Sequence, residues 1–206
     1  MPKRIRLYSR LSLIKKQYKK NQYYYYFDVP NVAILIPIID KKFLIVSQKR
    51  EAINKINFEF PCGWVDLDEK PKKSAARELF EETGYKSLNQ PKKLMEFYEE
   101  PGRMSSKAYC FYSKKLIKVK TPEKGITIHF FTKNKIIELI KKKKFNNGTH
   151  IAAFYKYLYF DTKNNSKKTK KWNKNKKIKN DFSIGFFFTF NKKIIANINS
   201  QRQNNN

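Results

Sequence analysis

The sequence predicts an α/β or α+β domain built on a mixed β-sheet, and three observations support this class. Several predicted strands come first, one helix follows, and further strands and two helices complete the domain. The run NVAILIPI at 31–38 is continuously apolar, which is consistent with a buried strand. The apolar fraction of 40%, with 17 Phe and 13 Tyr, is enough to fill a core.

The strands are predicted from apolar or alternating segments that end at turn residues. Residues 4–28 have mixed polarity and end in four consecutive tyrosines, which favour an extended, half-buried segment. A tight turn at 40–42 joins the apolar run to the next strand, and Pro61 ends another. After residue 28, the predicted strands are 31–38, 43–48, 56–60, 94–100, 107–116 and 125–131.

Three helices are predicted, at 71–83, 133–145 and 148–160. The first has Pro71 at its first helical position and Gly84 as a left-handed C-cap, although Lys70 is a poor N-cap. At 100° per residue, four apolar side chains of this helix form one face that we expect in the core. They are Ala75, Ala76, Leu79 and Phe80.

The composition changes after Phe160. We therefore expect one domain over residues 1–160 and a Lys/Asn-rich, disordered tail over 161–206. The first twenty residues lack the apolar run of a secretory signal, and the longest near-apolar stretch, 182–190, is too short to span a bilayer. Cys62 and Cys110 form no metal-binding spacing and suit a reducing compartment. These features predict a cytoplasmic protein with no membrane partner.

The formal net charge of +29 has two explanations. A basic surface is typical of proteins that bind polyanions, so a nucleic-acid partner stays open. However, only seven of the 46 basic residues are arginine, and Lys, Asn, Ile, Tyr and Phe share AT-rich codons. A genome of low GC content could give this composition without selection for binding, and we favour that explanation slightly.

Against this basic background, acidic residues concentrate in one short stretch. Six of the 17 acidic residues fall within residues 63–85, where about two are expected from the average density. Glu78, Glu81 and Glu82 share one stripe of the predicted helix, and like charges at that spacing destabilise a helix. A divalent cation such as Mg²⁺ or Mn²⁺, held by oxygen ligands, would account for the stripe. The alternative is an acidic surface helix that balances nearby lysines.

The spacing of this stretch resembles the Nudix box. Gly63 is followed after five residues by Glu69, and after seven more by the run from Arg77 to Tyr85, RELFEETGY. Every charged and glycine position matches, whereas Tyr85 stands where the family prefers an aliphatic residue. The resemblance implies a strand–loop–helix in an α/β/α sandwich that binds Mg²⁺, with Mn²⁺ as a possible substitute. It also implies cleavage of a nucleoside diphosphate linked to another moiety.

The resemblance also implies roles for individual residues. Glu78 and Glu82 would be the main metal ligands, Glu81 would share metal or water contacts, and the backbone carbonyl of Cys62 would be a further ligand. Glu69 and Arg77 would orient the helix. Gly63 would border the substrate, and Gly84 would end the helix.

The segments around the box resemble the ADP-ribose pyrophosphatase branch of the family over about residues 5–160. The stretches that carry this resemblance include 47–66, which precedes the box, and the Pro-Gly loop within 99–116. By this resemblance Arg50 and Arg103 are candidate phosphate contacts, and the N-terminal strands are a candidate homodimer interface. One ring of Tyr23–Tyr26 is a candidate for stacking on adenine, while we expect most of these rings in the core.

One segment departs from that branch. The branch places acidic residues, one of them the general base, before the strand at 125–131, but here only Glu123 remains, apparently one position out of register. Three alternatives follow. The general base is Glu123, or it is Glu78 or Glu81 from the box, or the protein lacks an effective base and its turnover is weak. The expected function is Mg²⁺-dependent hydrolysis of ADP-ribose, or a related nucleoside diphosphate sugar, to AMP and a sugar phosphate. Alternatives are hydrolysis of (d)NTPs or RNA 5′ ends, or nucleotide or RNA binding without catalysis.

Overall fold

The structure is a computed structural model that describes residues 2–168, with side chains described up to residue 162. Within this range there are twelve β-strands and three α-helices. The strands are β1 Lys3–Tyr8, β2 Leu11–Lys19, β3 Gln22–Asp28, β4 Val32–Ile39, β5 Lys42–Arg50, β6 Lys55–Glu59, β7 Cys62–Trp64, β8 Tyr85–Ser87, β9 Lys92–Tyr98, β10 Lys107–Ser113, β11 Leu116–Lys118 and β12 Thr127–Phe131. The helices are α1 Pro71–Thr83, α2 Lys133–Lys141 and α3 Gly148–Lys168.

A seven-stranded mixed sheet forms the centre of the domain. Its main path runs β12-β5-β4-β10-β9, with β6 paired to β5 and β7 paired to β4. The β4–β10 pair is parallel and the other pairs are antiparallel. The β4–β5 turn has Asp40 and Lys41 both at positive φ, as a tight hairpin turn requires. The prediction of an α/β fold with a mixed sheet is confirmed.

Helices cover both faces of this sheet. Successive residues of β4 point to opposite sides, so Ala33 and Leu35 pack with α1, whereas Ile34 and Ile36 pack in the cluster that includes α2 and α3. All four side chains are fully buried. The continuous apolar run of β4 follows from this burial on two faces, and the layers form an α/β/α sandwich.

The N-terminal strands form a separate antiparallel sheet in the order β1-β2-β3. All six residues of β1 are exposed, and Tyr23, Tyr24 and Tyr25 on β3 are each between 44% and 49% exposed. The expectation that most of the tyrosines pack in the core is therefore wrong. Their strand lies outside the sandwich, in a sheet with no helix covering it among the described residues.

The helix bounds differ from the predicted ones at two ends, the C-termini of α2 and α3. Helix α2 ends at Lys141 instead of residue 145, because Lys143 adopts positive φ and the chain turns to bury Phe145. Helix α3 continues to Lys168, so the boundary expected at residue 160 falls inside a helix. The remainder of the predicted tail, including the apolar stretch 182–190, lies outside the described residues. Along residues 2–168, no helix combines the length and hydropathy that a bilayer crossing needs.

The buried face of α1 is rotated relative to the predicted one. Ala75 and Leu79 are fully buried as expected, but Ala76 and Phe80 are only partly buried. The ammonium groups of Lys86 and Lys120 each lie 4.6 Å from the centroid of the Phe80 ring. Ser74, Glu82 and Thr83 complete the buried face instead. The rotation brings one carboxylate of the acidic stripe into the protein interior.

Candidate active site

Strand β7, the loop 65–70 and helix α1 form the frame of the candidate site. The helix begins at Pro71 and ends where Gly84, at φ +73°, donates its N–H to the carbonyl oxygen of Phe80 at 2.9 Å. In the loop, Asp68 adopts positive φ, and the N–H of Glu69 bonds to the carbonyl oxygen of Asp66 at 3.1 Å. This geometry turns the chain back from β7 so that α1 crosses beside it.

Arg77 ties the frame together. Its Nε and Nη2 donate to the two oxygens of Glu69 at 3.2 and 3.0 Å, and Nη2 also donates to the carbonyl oxygen of Trp64 at 3.0 Å. Its Nη1 bonds to Oε1 of Glu78 at 2.7 Å and to Oε2 of Glu81 at 3.0 Å. The hydrogen bond with Glu69 raises the pKa of Arg77 and lowers the pKa of Glu69, so both stay charged.

Glu78 lies directly over the backbone of Gly63. A Cβ added to Gly63 would lie 2.1 Å from Cδ of Glu78, far closer than ordinary contact, so only glycine leaves room for this carboxylate. Burial raises the pKa of Glu78 above its ordinary value, although the contact with Arg77 opposes the shift. The glycine of the motif is thus required by a neighbouring side chain, and its own φ is not positive.

Glu82 is the most deeply buried carboxylate of the stripe, at 7% exposure. Its Oε2 accepts a hydrogen bond from the backbone N–H of Cys62 at 3.2 Å. Burial raises the pKa of Glu82 to about 8, and the charge of Glu78 adds to the increase. Glu81, with a side chain 48% exposed, lies at the outer edge of the stripe.

These groups fit a hard divalent cation. Two carboxylates whose pKa values are raised by burial lie against one backbone segment, at Cys62 and Gly63. A bound cation would compensate the charge that burial now penalises, and oxygen-only donors are the ligands of Mg²⁺ and Mn²⁺. The carbonyl of Cys62 as a further ligand stays a prediction.

A second layer of polar side chains lies behind this cluster, and Arg50 is the member of it for which the sequence predicts a role. Glu59, 2% exposed, forms a bidentate pair with Arg50 and accepts from Nδ2 of Asn57 at 2.8 Å. Burial acts to raise the pKa of Glu59, but these partners outweigh it and the pKa is lowered. The candidate phosphate contact Arg50 is therefore held by a buried carboxylate, and the side chain remains 40% exposed.

His150 completes this second layer. Its Nδ1 accepts from the backbone N–H of Phe60 at 3.0 Å, and its Nε2 lies 3.7 Å from Sγ of Cys62. Burial lowers the pKa of His150 to about 4, so the ring is neutral near pH 7. Ligand atoms of Glu59, Cys62 and His150 all lie within 4.8 Å of one another. The sequence offered no signal for this cluster, because 90 residues separate His150 from Phe60.

The two remaining predicted site residues, Glu123 and Arg103, lie in different parts of the fold. The loop that carries Glu123 approaches the end of α1, where the N–H of Glu123 bonds to the carbonyl oxygen of Glu82 at 3.3 Å, and the Glu123 side chain is exposed. Arg103 lies beside the N-terminal sheet, because its carbonyl oxygen accepts from the N–H of Phe27 at 2.7 Å. Their roles as base and as phosphate contact stay predictions.

The fold and the site together define a class of protein: an α/β/α sandwich with a carboxylate centre on the helix that follows a short strand. The family model for the NUDIX domain matches residues 29–178. The chain belongs to this family.

Similar proteins agree with that assignment. A methanol dehydrogenase activator of Bacillus methanolicus is 29% identical over 133 residues, which are 62% of this chain and 71% of that protein. An ADP-ribose pyrophosphatase of Bacillus subtilis (strain 168) is 33% identical over 85 residues, which are 41% of this chain and 45% of that protein. The crystal structure of an ADP compounds hydrolase matches with a TM-score of 0.65 at 16% identity, over 79% of this chain and 95% of that one. The prediction of a Nudix enzyme that resembles the ADP-ribose pyrophosphatase branch is confirmed.

Proposed function

We propose that the protein hydrolyses the pyrophosphate bond of ADP-ribose, or of a related nucleoside diphosphate sugar, to AMP and a sugar phosphate. The observation that carries this proposal is the buried pair Glu78 and Glu82 against the backbone of Cys62 and Gly63. Similarity to an ADP-ribose pyrophosphatase and to the structure of an ADP compounds hydrolase supports the substrate class.

Mg²⁺ is the proposed cofactor, and Glu78, Glu82, Glu81 and the Cys62 carbonyl are its proposed ligands. When bound, the ion would activate water and neutralise charge on the bridging phosphate oxygens. Arg77 holds Glu78 and Glu81 in place from the side of the helix, and Glu69 fixes Arg77 in turn. The protein therefore contributes to catalysis by holding the carboxylates in position before the ion binds.

The proton of the attacking water requires a base, and the candidates are Glu123, Glu78 and Glu81. Glu78 and Glu81 both accept hydrogen bonds from Arg77, which holds the two carboxylates in place. The loop of Glu123 is held at the end of α1 by the hydrogen bond from the Glu123 N–H to the carbonyl oxygen of Glu82. Separate Glu123→Gln and Glu81→Gln variants test the assignment, because loss of the base lowers kcat and removes its decline at low pH. Glu123→Gln should leave Mn²⁺ binding intact, since Glu123 is not a proposed ligand, whereas Glu81→Gln should also weaken it.

A homodimer formed through the N-terminal sheet is also proposed. The exposed side chains of β1 and β3 include Ile5, Leu7, Tyr23 and Tyr25. Several large apolar side chains exposed on one small sheet are typical of an interaction surface, whereas single exposed apolar residues are common on any protein. Sedimentation should give twice the monomer mass at micromolar concentration, and a monomer would contradict the proposal. The free thiols of Cys62 and Cys110 support a cytoplasmic location.

The activity is tested by product analysis. Purified protein with Mg²⁺ should release AMP and a sugar phosphate from ADP-ribose, and the Glu82→Gln variant should lose this activity while remaining folded. Glu138→Gln is the matched control, because Glu138 is an exposed acid on α2 that pairs with Lys135 and Lys142. A wild-type protein inert toward nucleoside diphosphate compounds would contradict the proposal. Release of pyrophosphate from nucleoside triphosphates would instead favour the alternative hydrolase, and salt-sensitive RNA binding without turnover would favour a binding protein.

A further inference from the structure

His150 is placed by the start of helix α3. The side chain of Asn147 accepts from the N–H of Thr149 at 3.1 Å, and its carbonyl oxygen accepts from Ile151 at 3.0 Å. This cap fixes the first turn of the helix. His150 lies in that turn at 2% exposure, with its ring stacked on Phe60 at 14° between the ring planes. A polar ring in this position requires partners, because an unpaired buried polar group is costly.

The two ring nitrogens have distinct partners. A neutral imidazole carries one hydrogen, and the nitrogen without it is the acceptor. Because the N–H of Phe60 donates to Nδ1 at 3.0 Å, the hydrogen is on Nε2, which lies 3.7 Å from Sγ of Cys62. The ring therefore contacts the chain on both sides of Pro61, through a backbone donor on one side and a sulfur acceptor on the other.

This pair of contacts holds the backbone segment Phe60–Cys62 from the side of α3. Two further hydrogen bonds hold the same segment: the N–H of Cys62 donates to Oε2 of Glu82, and the carbonyl oxygen of Pro61 accepts from the N–H of Leu35 at 3.0 Å. Pro61 has no N–H of its own, so the segment's donors are those of Phe60 and Cys62. One donor is directed to His150 and the other to the proposed metal ligand.

We propose that His150 is a positioning residue of the metal centre: it holds Phe60–Cys62 so that the Cys62 backbone stays against the Glu82 carboxylate. The inference rests on the proposed function, since it assumes that Glu82 binds the cation. It also excludes a second metal site at Glu59, Cys62 and His150, although their ligand atoms lie within 4.8 Å of one another. Metal binding through Nε2 would require the hydrogen to move to Nδ1, where it would face the N–H of Phe60.

Two substitutions separate the contacts of the ring. His150→Phe keeps an aromatic ring of similar shape and removes both polar contacts. His150→Asn keeps an acceptor close to the position of Nδ1 and loses the contact with sulfur. Mutating a residue that bonds to a metal ligand typically lowers the metal affinity by about 10- to 100-fold. We expect His150→Phe to weaken Mn²⁺ binding, measured by calorimetry, by about tenfold or more, and His150→Asn to restore most of it.

A second measurement reports on the wild-type protein directly. Two-bond ¹H–¹⁵N correlation spectra distinguish the tautomers of a neutral histidine, and the chain has only two histidines to assign. We expect His150 to have a hydrogen on Nε2 and none on Nδ1. The opposite tautomer would overturn the inference, whether or not the His150 variants fold.

The outcomes separate the inference from the function on which it rests. If wild-type protein does not bind Mn²⁺, even with nucleotide present, both the proposed metal centre and this inference fail. If wild-type and His150→Phe bind Mn²⁺ equally well, only the inference fails. Stoichiometric Zn²⁺ binding that is lost in both His150→Asn and Glu59→Gln would also overturn it and assign the cluster as a metal site.

Discussion

Replacing Gly63 with alanine tests whether the glycine of the motif is required by Glu78. The new Cβ would lie 2.1 Å from Cδ and 2.2 Å from Oε1 of Glu78, whereas ordinary contact begins at 3.4 Å. The carboxylate therefore has to move by more than an ångström. A misplacement of about 1 Å in a catalytic constellation can cost about 100-fold in rate, equivalent to about 2.7 kcal/mol in the barrier.

We expect Gly63→Ala to reduce kcat for AMP release by about 100-fold and to weaken Mn²⁺ binding. The metal-free stability should change far less than the activity, because the φ of Gly63 is not positive and alanine also restricts the unfolded chain. Gly148→Ala is the matched control, since an added Cβ would have no atom within 4 Å apart from its chain neighbours and the nearby backbone of its own helix. Urea unfolding in EDTA and steady-state kinetics with Mg²⁺ measure the two effects separately.

A double-mutant cycle identifies the clash. In a Glu78→Ala background, the carboxylate that Gly63→Ala would displace is absent, so the stability effect of Gly63→Ala should largely disappear. If Gly63→Ala retains wild-type rate and Mn²⁺ affinity, the carboxylate of Glu78 does not belong at this position, and the proposed ligand set is wrong. A stability loss equal in both backgrounds would place the clash elsewhere in the sheet.

Three further predictions concern Glu82, Gly84 and Cys110. Because the pKa of Glu82 is raised to about 8, the fold favours its protonated form, so metal-free stability should fall as pH rises from about 4.5 to about 8 and then level off, a loss on the order of 5 kcal/mol. Urea unfolding in EDTA should show this loss for wild type and not for Glu82→Gln, and an identical pH dependence in both would contradict the burial of this carboxylate. Gly84→Ala should destabilise the protein by about 3 kcal/mol, because Gly84 has φ +73° and a Cβ would lie 2.1 Å from the carbonyl oxygen of Lys120. Gly125→Ala, at φ +89° with open space around its Cβ, should lose only about 1 kcal/mol, and equal losses would exclude the clash. Burial raises the pKa of Cys110 to about 12, so its alkylation near pH 8 should be about a thousandfold slower in native than in unfolded protein, as peptide mass spectrometry can measure. Rapid native labelling of Cys110 would contradict its burial.

Features specified by local chemistry could be predicted from the sequence. The bounds of α1 follow from Pro71 at its start and Gly84 at its end, and both lie where the structure has them. The apolar run of β4 indicated a buried strand, and the spacing from Gly63 to Glu82 indicated the carboxylate centre. Each of these sequence signals lies in the helix or strand that it predicts, or in the segment next to it.

Features that depend on tertiary contacts could not be predicted. The run of four lysines at 141–144 includes no glycine or proline, and lysine is a good helix former. Nevertheless α2 ends at Lys141, because the burial of Phe145 outweighs this helix propensity. The contact between His150 and Phe60 joins residues 90 positions apart. The pair of Arg50 with Glu59 forms within one strand hairpin, but the register places Arg50 opposite Lys55 and Glu59 opposite Val46, so strand pairing does not predict it.

The rotated face of α1 explains why a pattern of apolar residues could not locate the centre completely. Apolar periodicity assigns Phe80 to the core and Glu82 to the solvent, because it treats every carboxylate as exposed. The structure reverses these two positions: Phe80 is only partly buried, beside two lysines, and Glu82 is buried against Cys62. Among the described residues, no cationic side chain is bonded to Glu82, so burying its carboxylate is unfavourable for folding alone, as its raised pKa indicates. A cation bound during function would remove that cost, so the largest error of the periodicity argument lies at the residue on which the proposed activity depends.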